Sequence, residues 1–322
     1  MRGHAAAARR ARRGGRPGPA GGRARRLVAR RHGPGRLHLG APGLGGRGRA
    51  RGGARALAGR ADLRARRRGA AAALPAVGRV PVTDREVAEA AARRAGDLLR
   101  ARFGADHAVR RKSAAGADVV SEADRAAEAA VVRLLRERRP RDGILGEEGA
   151  RVEAERTWLV DALDGTFNYV SGVPHWCAAV ALADASGPLA GAVYDPVAGE
   201  LFSAARGEGA GGLAVRTGRP LRSALVSTFA DPRVMTDVAL LALAGAAILR
   251  TGGAGSLDLA WLAAGRLDAW VQRSPEPWDW LPGALLVREA GGRAEVLDGG
   301  WHVAGAPELV EQIEALLAAT RA

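Results

Sequence analysis

The segment Trp158-Leu159-Val160-Asp161-Ala162-Leu163-Asp164-Gly165-Thr166 is the most informative part of this 322-residue chain. An apolar run typical of a buried strand leads directly into two acidic side chains and an Asp-Gly pair. Gly165 permits close approach of the backbone to a ligand, and a helical turn that starts there would direct the Gly165 and Thr166 amides at an anion. Taken alone, such a segment is more often an Asp-Gly turn between two strands.

Two further acidic residues, Glu147 and Asp279, share a feature with Asp161 and Asp164. Each lies just past the end of a short apolar strand or at a tight turn. Acids in such positions meet at the carboxyl edge of a sheet, where open α/β proteins bind ligands. Oxygen ligands suit Mg²⁺, and a pair of ions about 3.5–4 Å apart can bind the attacking and leaving oxygens of a phosphoryl transfer.

Charge is distributed unevenly along the chain. The formal net charge is +15, but residues 1–80 contain 22 Arg and a single acid, a balance of +21. The remaining 242 residues have a balance of −6, so the body of the protein is mildly acidic. Residues 1–80 are mostly Arg, Gly, Ala and Pro. We predict a disordered leader there, because so few large apolar residues cannot offset the entropy of ordering the chain.

Three interpretations of the leader are open. An Arg-rich arm gains affinity for nucleic acid by releasing counterions from the phosphates. A targeting peptide would need an apolar face that the leader lacks. A functionless extension, translated upstream of the true start in a GC-rich genome, fits the use of 48 Arg and one Lys in the whole chain. We favour the last, and expect nucleic acid as a partner only through residues 1–80.

A single cysteine, Cys177, excludes an internal disulfide and indicates a reducing compartment. It sits in an apolar run, which is typical of a buried small side chain rather than a nucleophile. No segment reaches the roughly 18–20 consecutive apolar residues of a membrane span. We therefore expect a soluble, cytoplasmic protein without membrane contact.

The order of predicted elements indicates a mixed α/β fold made of two halves. Thr83 and Glu86 form a capping box at the start of a helix, and a second helix ends before Pro140. Short strands separated by Gly, Pro and Asp turns follow at 143–146, 158–160, 176–182, 189–194 and 200–204. Beyond them, strands alternate with Ala- and Leu-rich helices. The predicted division is an α+β half over residues 81–212 and an α/β half over residues 213–322.

Three motifs, taken in order, resemble the signatures of the inositol monophosphatase family. They are Gly146-Glu147-Glu148, the segment Trp158–Tyr169, and Trp278-Asp279-Trp280-Leu281-Pro282-Gly283 followed by Glu289-Ala290-Gly291-Gly292. Their separations match as well, and the similarity covers about residues 83–320. The resemblance implies a layered α-β-α-β-α sandwich and a homodimer. It also implies lithium-sensitive, Mg²⁺-dependent hydrolysis of a small phosphorylated metabolite, with inositol monophosphate the first choice.

Carried over by position, the resemblance implies a site for two or three Mg²⁺ ions. Glu147 and Asp161 would bind one ion, together with the backbone carbonyl of Leu163. Asp161, Asp164 and Asp279 would hold a second ion. Asp161 would therefore bridge the two, which fits its place at the end of a strand.

The same resemblance assigns the catalytic and substrate-binding residues. Glu147, Asp164 and Thr166 would be catalytic, with Glu147 and the Thr166 hydroxyl orienting the water that attacks phosphorus. The amides of Gly165 and Thr166 would hold the phosphate. Lys112 would bind phosphate from its loop, or is a solvated charge.

Some positions depart from the family pattern. Ala162 stands where proline is usual, which affects mainly the stiffness of the turn. Gln272 stands where well-studied members have a glutamate that binds inositol hydroxyls. It keeps the capacity to bond a hydroxyl but lacks the charge, so the substrate is open. Asp124 matches an acidic helix-start position near the metal site, although a local capping role is the simpler interpretation.

Several functions compete. Histidinol phosphate and a 3′-phosphonucleotide are the alternative substrates within the same superfamily. Nucleic-acid binding through residues 1–80 is an alternative of a different class, and a catalytically inactive relative kept for its interactions is a third. The joint presence of the expected catalytic and ligand residues argues against inactivity: Glu147, Asp161, Asp164, Thr166 and Asp279.

Overall fold

The computed structural model describes residues 82–104, 109–111, 119–230 and 236–320. The disordered leader predicted over residues 1–80 and the loop residue Lys112 lie outside these ranges. Within the described ranges, no helix is long and apolar enough to cross a membrane.

Two long helices open the described part of the chain. The first, α1 (Asp84–Arg100), begins at the predicted capping box: Thr83 Oγ1 accepts from the Glu86 amide at 3.2 Å, and the Glu86 carboxylate accepts from the Thr83 amide at 2.7 Å. The second, α2 (Glu122–Arg138), ends before Pro140, as predicted. Both bury an Ala-rich stripe, so the two helices pack closely together.

The next part of the chain forms a six-stranded mixed sheet. A small antiparallel pair precedes it, β1 (Val109–Arg111) and β2 (Val119–Ser121). The strands of the sheet are β3 (Gly143–Gly146), β4 (Arg151–Val152), β5 (Thr157–Asp164), β6 (Cys177–Asp184), β7 (Gly187–Asp195) and β8 (Glu200–Ala205). Their order is β4-β3-β5-β6-β7-β8, with β3 parallel to β5 and the other neighbours antiparallel. A short helix, α3 (Thr166–Val170), follows β5.

The C-terminal part forms a five-stranded mixed sheet and four helices. Its strands are β9 (Leu225–Thr228), β10 (Ile248–Arg250), β11 (Ala269–Arg273), β12 (Arg293–Leu297) and β13 (Trp301–Gly305), in the order β10-β9-β11-β13-β12. The helices are α4 (Val238–Ala246), α5 (Gly255–Ala263), α6 (Pro277–Glu289) and α7 (Pro307–Ala319). β9 runs parallel to both of its neighbours, and β13 runs antiparallel to both of its own.

The contacts between these elements define five layers. Helices α1 and α2 pack on the six-stranded sheet, and α5 and α6 contact both that sheet and the five-stranded one. Helices α4 and α7 pack together against the five-stranded sheet. Separate hydrophobic clusters fill the spaces between layers; they contain Trp158 and Trp176, then Trp270 and Trp280, then Trp301. The expected α-β-α-β-α sandwich is confirmed.

Three of the acidic positions differ in local structure from the prediction. Strand β5 extends to Asp164, so Asp161 and Asp164 lie within the strand instead of just past its end. Asp161 pairs with Ala179 and Asp164 pairs with Cys177, so three residues along β5 correspond to two along β6. This mismatch is a β-bulge. Asp279 lies in the first turn of α6 and not after a strand, because Pro277 favours the start of a helix at that point.

Close packing of α5 on α6 leaves no room for a side chain at Gly283. A Cβ atom there would overlap the Leu259 side chain. We expect Gly283→Ala to lower the free energy of unfolding by about 1–3 kcal/mol, because an inserted methyl group forces backbone or rotamer shifts in a packed core. Urea denaturation followed by circular dichroism measures this change.

Gly245→Ala in α4 is the matched control, since no atom lies within 4 Å of a Cβ at that position. The control should be neutral or stabilising by up to about 1 kcal/mol, as alanine is the better helix former. Equal effects of the two substitutions would contradict the close packing of α5 on α6.

Candidate active site

The corner between β5 and α3 is built around Gly165. This residue has φ +91° and ψ 36°, a left-handed conformation that favours glycine. A Cβ atom there would lie 3.0 Å from the His175 carbonyl oxygen and 3.1–3.2 Å from the Cβ atoms of Ala254 and Trp176. The helical turn expected from the sequence is present and begins at Thr166.

The Thr166 hydroxyl contacts two oxygens below this corner. Its Oγ1 atom is 3.0 Å from the Leu163 carbonyl oxygen and 3.3 Å from Asp124 Oδ2. Because a hydroxyl has one proton, it can donate to only one of these acceptors at a time. Asp124, in the first turn of α2, is buried. The structure therefore brings Asp124 to the catalytic threonine expected from the sequence.

Asp161 is buried in the middle of the acidic group. Its Oδ1 atom accepts a hydrogen bond from the Leu163 amide at 3.0 Å. Burial raises the pKa of Asp161 well above its usual range, and the carboxylates of Glu147 and Asp164 raise it further. The environment thus favours the protonated acid unless a cation is present.

Asp164 lies on the boundary between the two sheets. Its Oδ2 atom accepts from the Ser256 amide at 2.6 Å, at the start of α5 in the C-terminal part of the chain, and Cys177 Sγ lies 3.6 Å away. Burial raises the pKa of Asp164 to about 6, although the Ser256 amide acts in the opposite direction. Cys177 is buried, as predicted, and burial raises the pKa of its thiol.

Asp279 reaches the acidic group from the first turn of α6. Burial raises its pKa to about 8, with the Asp164 and Glu147 carboxylates adding to the rise. A hydrogen bond with the Asp161 side chain acts against that rise. The carboxylate of Glu147, from a third segment, thus acts on all three aspartates.

Glu147 is positioned by a residue that the sequence did not reveal. Its amide donates to the Val160 carbonyl at 3.1 Å, which holds it beside β5. The Glu128 carboxylate on α2 accepts from the amides of Glu148 at 2.7 Å and Ala150 at 3.0 Å, and so fixes the turn after β3. Glu128 is 5% exposed, and its place beside the apolar stripe of the helix was the available signal.

Gln272 lies near the edge of this site, on β11. Its side chain is half-buried, and its Oε1 atom is 3.8 Å from the position of a Cβ atom on Gly255. Gly255 precedes the residue whose amide binds Asp164. Lys112, the other substrate-binding residue expected from the sequence, lies outside the described residues.

Asn168 connects the glycine corner to the loop before α5. Its Nδ2 atom donates to the His175 carbonyl at 2.7 Å and to the Gly252 carbonyl at 2.9 Å. The amide of one side chain therefore joins two segments that come from different halves of the chain. The sequence placed Asn168 within a motif but did not predict this role.

A buried polar cluster lies behind the same loop. The Asp258 carboxylate is 3.1 Å from His175 Nε2, accepts from Ser227 Oγ at 2.5 Å, and pairs with Arg250. The His175 ring also packs edge-on to Trp261, with centroids 5.0 Å apart. His175 is therefore a packed, hydrogen-bonded histidine.

The acidic group fits a divalent cation in its chemistry. Among the residues the structure describes, no three His, Cys, Asp or Glu side chains stand arranged to hold a metal ion. Asp161 and Asp279 hydrogen-bond to each other, as protonated acids do. All donors are oxygens, and burial together with the neighbouring carboxylates raises the pKa of Asp161, so a hard cation would relieve the mutual repulsion.

Comparison with known proteins agrees with this arrangement. The Nus factor SuhB of Escherichia coli (strain K12) is 34% identical over 245 residues, which cover 70% of this chain and 92% of that protein. The extragenic suppressor protein suhB from Bartonella henselae has a TM-score of 0.67 at 32% identity and covers 72% of this chain and 96% of that chain. An IMPase from Thermotoga maritima has a TM-score of 0.66 at 26% identity and covers 72% of this chain and 95% of that chain.

The model of the inositol monophosphatase family matches residues 82–322, which include every described segment. The layered fold, the order of the motifs and the grouping of the acids point to the same conclusion. This chain belongs to the inositol monophosphatase family.

Proposed function

We propose that this protein is a Mg²⁺-dependent phosphatase that hydrolyses a small phosphate monoester, with inositol monophosphate as the first substrate to test. The observation that carries the proposal is that burial and neighbouring carboxylates, Glu147 among them, raise the pKa of Asp161, Asp164 and Asp279 beside the Gly165–Thr166 corner. Buried acids whose pKa is raised by burial and by neighbouring charges are a common mark of functional sites.

The proposed ion-binding residues divide into two overlapping sets. Glu147, Asp161 and the Leu163 carbonyl would hold one ion, and Asp161, Asp164 and Asp279 would hold another, with two or three ions in total. Bound Mg²⁺ would supply Lewis acidity and neutralise the charge of the transferring phosphoryl group. Inhibition by lithium belongs to the same proposal.

The residues of the corner would bind phosphate and orient water. The amides of Gly165 and Thr166, at the start of α3, would donate to phosphate oxygens. When the Thr166 hydroxyl donates to Asp124 Oδ2, which lies 3.3 Å away, its oxygen can accept a hydrogen bond from an attacking water. Glu147, which directly follows β3 and lies beside β5, would orient that water together with Thr166.

The leaving group would be recognised by the C-terminal part of the chain. Gln272 presents an amide, which can bond hydroxyl groups of an inositol ring. Gln272 lacks the carboxylate that well-studied family members have at this position, which weakens the case for inositol. Histidinol phosphate and a 3′-phosphonucleotide therefore remain the alternative substrates. Lys112 is proposed as a further phosphate contact.

A homodimer is part of the proposal. Large apolar side chains on α4, on β10 and after β9 are 43–64% exposed: Phe229, Val238, Leu241 and Ile248. β10 is an edge strand of the five-stranded sheet. Exposed apolar groups on adjacent elements mark protein interfaces, and we assign this one to a second copy of the chain. The proposed compartment is the cytoplasm.

The site assignment predicts that Asp164→Asn and Asp279→Asn each lower turnover about 100-fold or more, because each removes a charged ion ligand. Phosphate release from inositol monophosphate, histidinol phosphate and a 3′-phosphonucleotide with Mg²⁺ measures the effect. Circular dichroism checks the fold, and Glu311→Gln on the exposed face of α7 is the control. Full activity in both variants would refute the site, and no turnover of any of the three esters by the wild type would refute the function.

The raised pKa values of the acids predict how stability depends on pH. The folded protein keeps protons on Asp164 up to about pH 6 and on Asp279 up to about pH 8, whereas the unfolded chain releases them near pH 4. These groups therefore lower the free energy of unfolding as pH rises from about 4 to 8. Thermal melting in EDTA should give a lower midpoint at pH 8 than at pH 5, and Mg²⁺ should reverse the fall.

Asp279→Asn should show a smaller fall between the two pH values, because the amide does not titrate. The comparison separates Asp279 from the other titrating groups of the protein. Identical pH dependence in wild type and variant would contradict the burial of Asp279 among like charges.

Removal of residues 1–80 separates the phosphatase from the nucleic-acid alternative. We expect the remaining chain, residues 81–322, to keep its turnover, since every described site residue lies within it. Any polynucleotide affinity that weakens between 50 and 200 mM salt should disappear with the 22 arginines. If residues 81–322 lost turnover but still bound polynucleotide, the phosphatase assignment would be wrong and nucleic-acid binding would be favoured.

A further inference from the structure

Ser256 makes one contact to each of two acids in the candidate site. It lies in the first turn of α5 and is 0% exposed. Its amide donates to Asp164 Oδ2 at 2.6 Å, and its hydroxyl donates to the backbone carbonyl of Asp279 at 3.0 Å. One buried residue thus joins the end of β5 to the first turn of α6.

These two contacts hold Asp164 and Asp279 close together, although repulsion between their carboxylates would drive them apart. Asp164 and Asp279 belong to elements from different halves of the chain, and like charges in a buried site repel strongly. The Ser256 amide and the Cys177 thiol both donate to Oδ2 of Asp164. An ion would therefore bind to Oδ1. The orientation of Asp164 is therefore set through α5.

We propose that Ser256 is a positioning residue that holds Asp279 at its working distance from Asp164 before a divalent ion binds. The inference rests on the proposed metal-dependent function. Ser256 acts through the backbone carbonyl of Asp279, so it sets the place of the first turn of α6 and not the chemistry of the carboxylate. Preorganised ligands bind an ion more tightly because less order has to be gained on binding.

The geometry of the helix pair supports this role. One turn further along α5, Leu259 fills the space beside Gly283 of α6, so the two helices are already in close contact there. At the end that carries Asp279, the hydrogen bond from the Ser256 hydroxyl ties α6 to α5. Loss of the hydroxyl would free the end of α6 that carries the ligand while the rest of the helix stays packed.

The test is calorimetric titration of the metal-free protein with Mn²⁺ and with Mg²⁺, without substrate. Ser256→Ala keeps the amide contact to Asp164 and removes the hydroxyl, and we expect roughly three- to tenfold weaker ion binding, the range of one net hydrogen bond. Ser256→Thr restores the hydroxyl and should recover most of the affinity.

Ser203→Ala on β8 is the matched control, because Ser203 is also buried and donates its hydroxyl to Glu89 at 2.6 Å, away from the acids. It should lower the thermal midpoint without changing ion affinity. Unchanged binding in Ser256→Ala, or an equal change in Ser203→Ala, would overturn the inference. A wild type that binds neither ion would instead overturn the proposed metal dependence, so the two failures are distinguishable.

Discussion

A group of acidic side chains is buried where the end of β5 meets the first turn of α6. Asp161 and Asp164 are buried, and Asp279 faces them from α6, although an ionised carboxylate away from water is costly without a partner. The backbone amides of Leu163 and Ser256 offset part of that cost through short hydrogen bonds. The remaining cost is what a cation, or a proton, would relieve.

The layered architecture explains how such distant segments meet. Helices α5 and α6 form the central layer and contact both sheets, so their first turns lie against the end of β5. The acids of the six-stranded sheet therefore face an acid from the C-terminal part across a helix boundary. Asn168 and the Asp258 cluster secure the same boundary from the side of the glycine corner.

The sequence was sufficient for the first two helices, the capping box and five of the six strands of the larger sheet, because helix caps and apolar strands have local signals. The five layers came from the resemblance to a family, not from periodicity. Glu128 and Ser256 escaped prediction because their roles are hydrogen bonds to backbone groups that lie far away in the sequence. Asp279 was expected just past a strand or at a tight turn, because a helix that begins at Pro277 was not weighed there.

The bulge in β5 makes the number of residues between Asp161 and Asp164 structurally important. In a regular strand, residues three apart point to opposite faces of the sheet. The extra residue restores a common face for these two side chains while β6 continues its pairing. Deletion of either Ala162 or Leu163 would return β5 to regular pairing and leave both aspartates in the chain, yet with a different backbone trajectory between them. Evolution can therefore exchange the identities of these two inner residues more freely than it can alter their number.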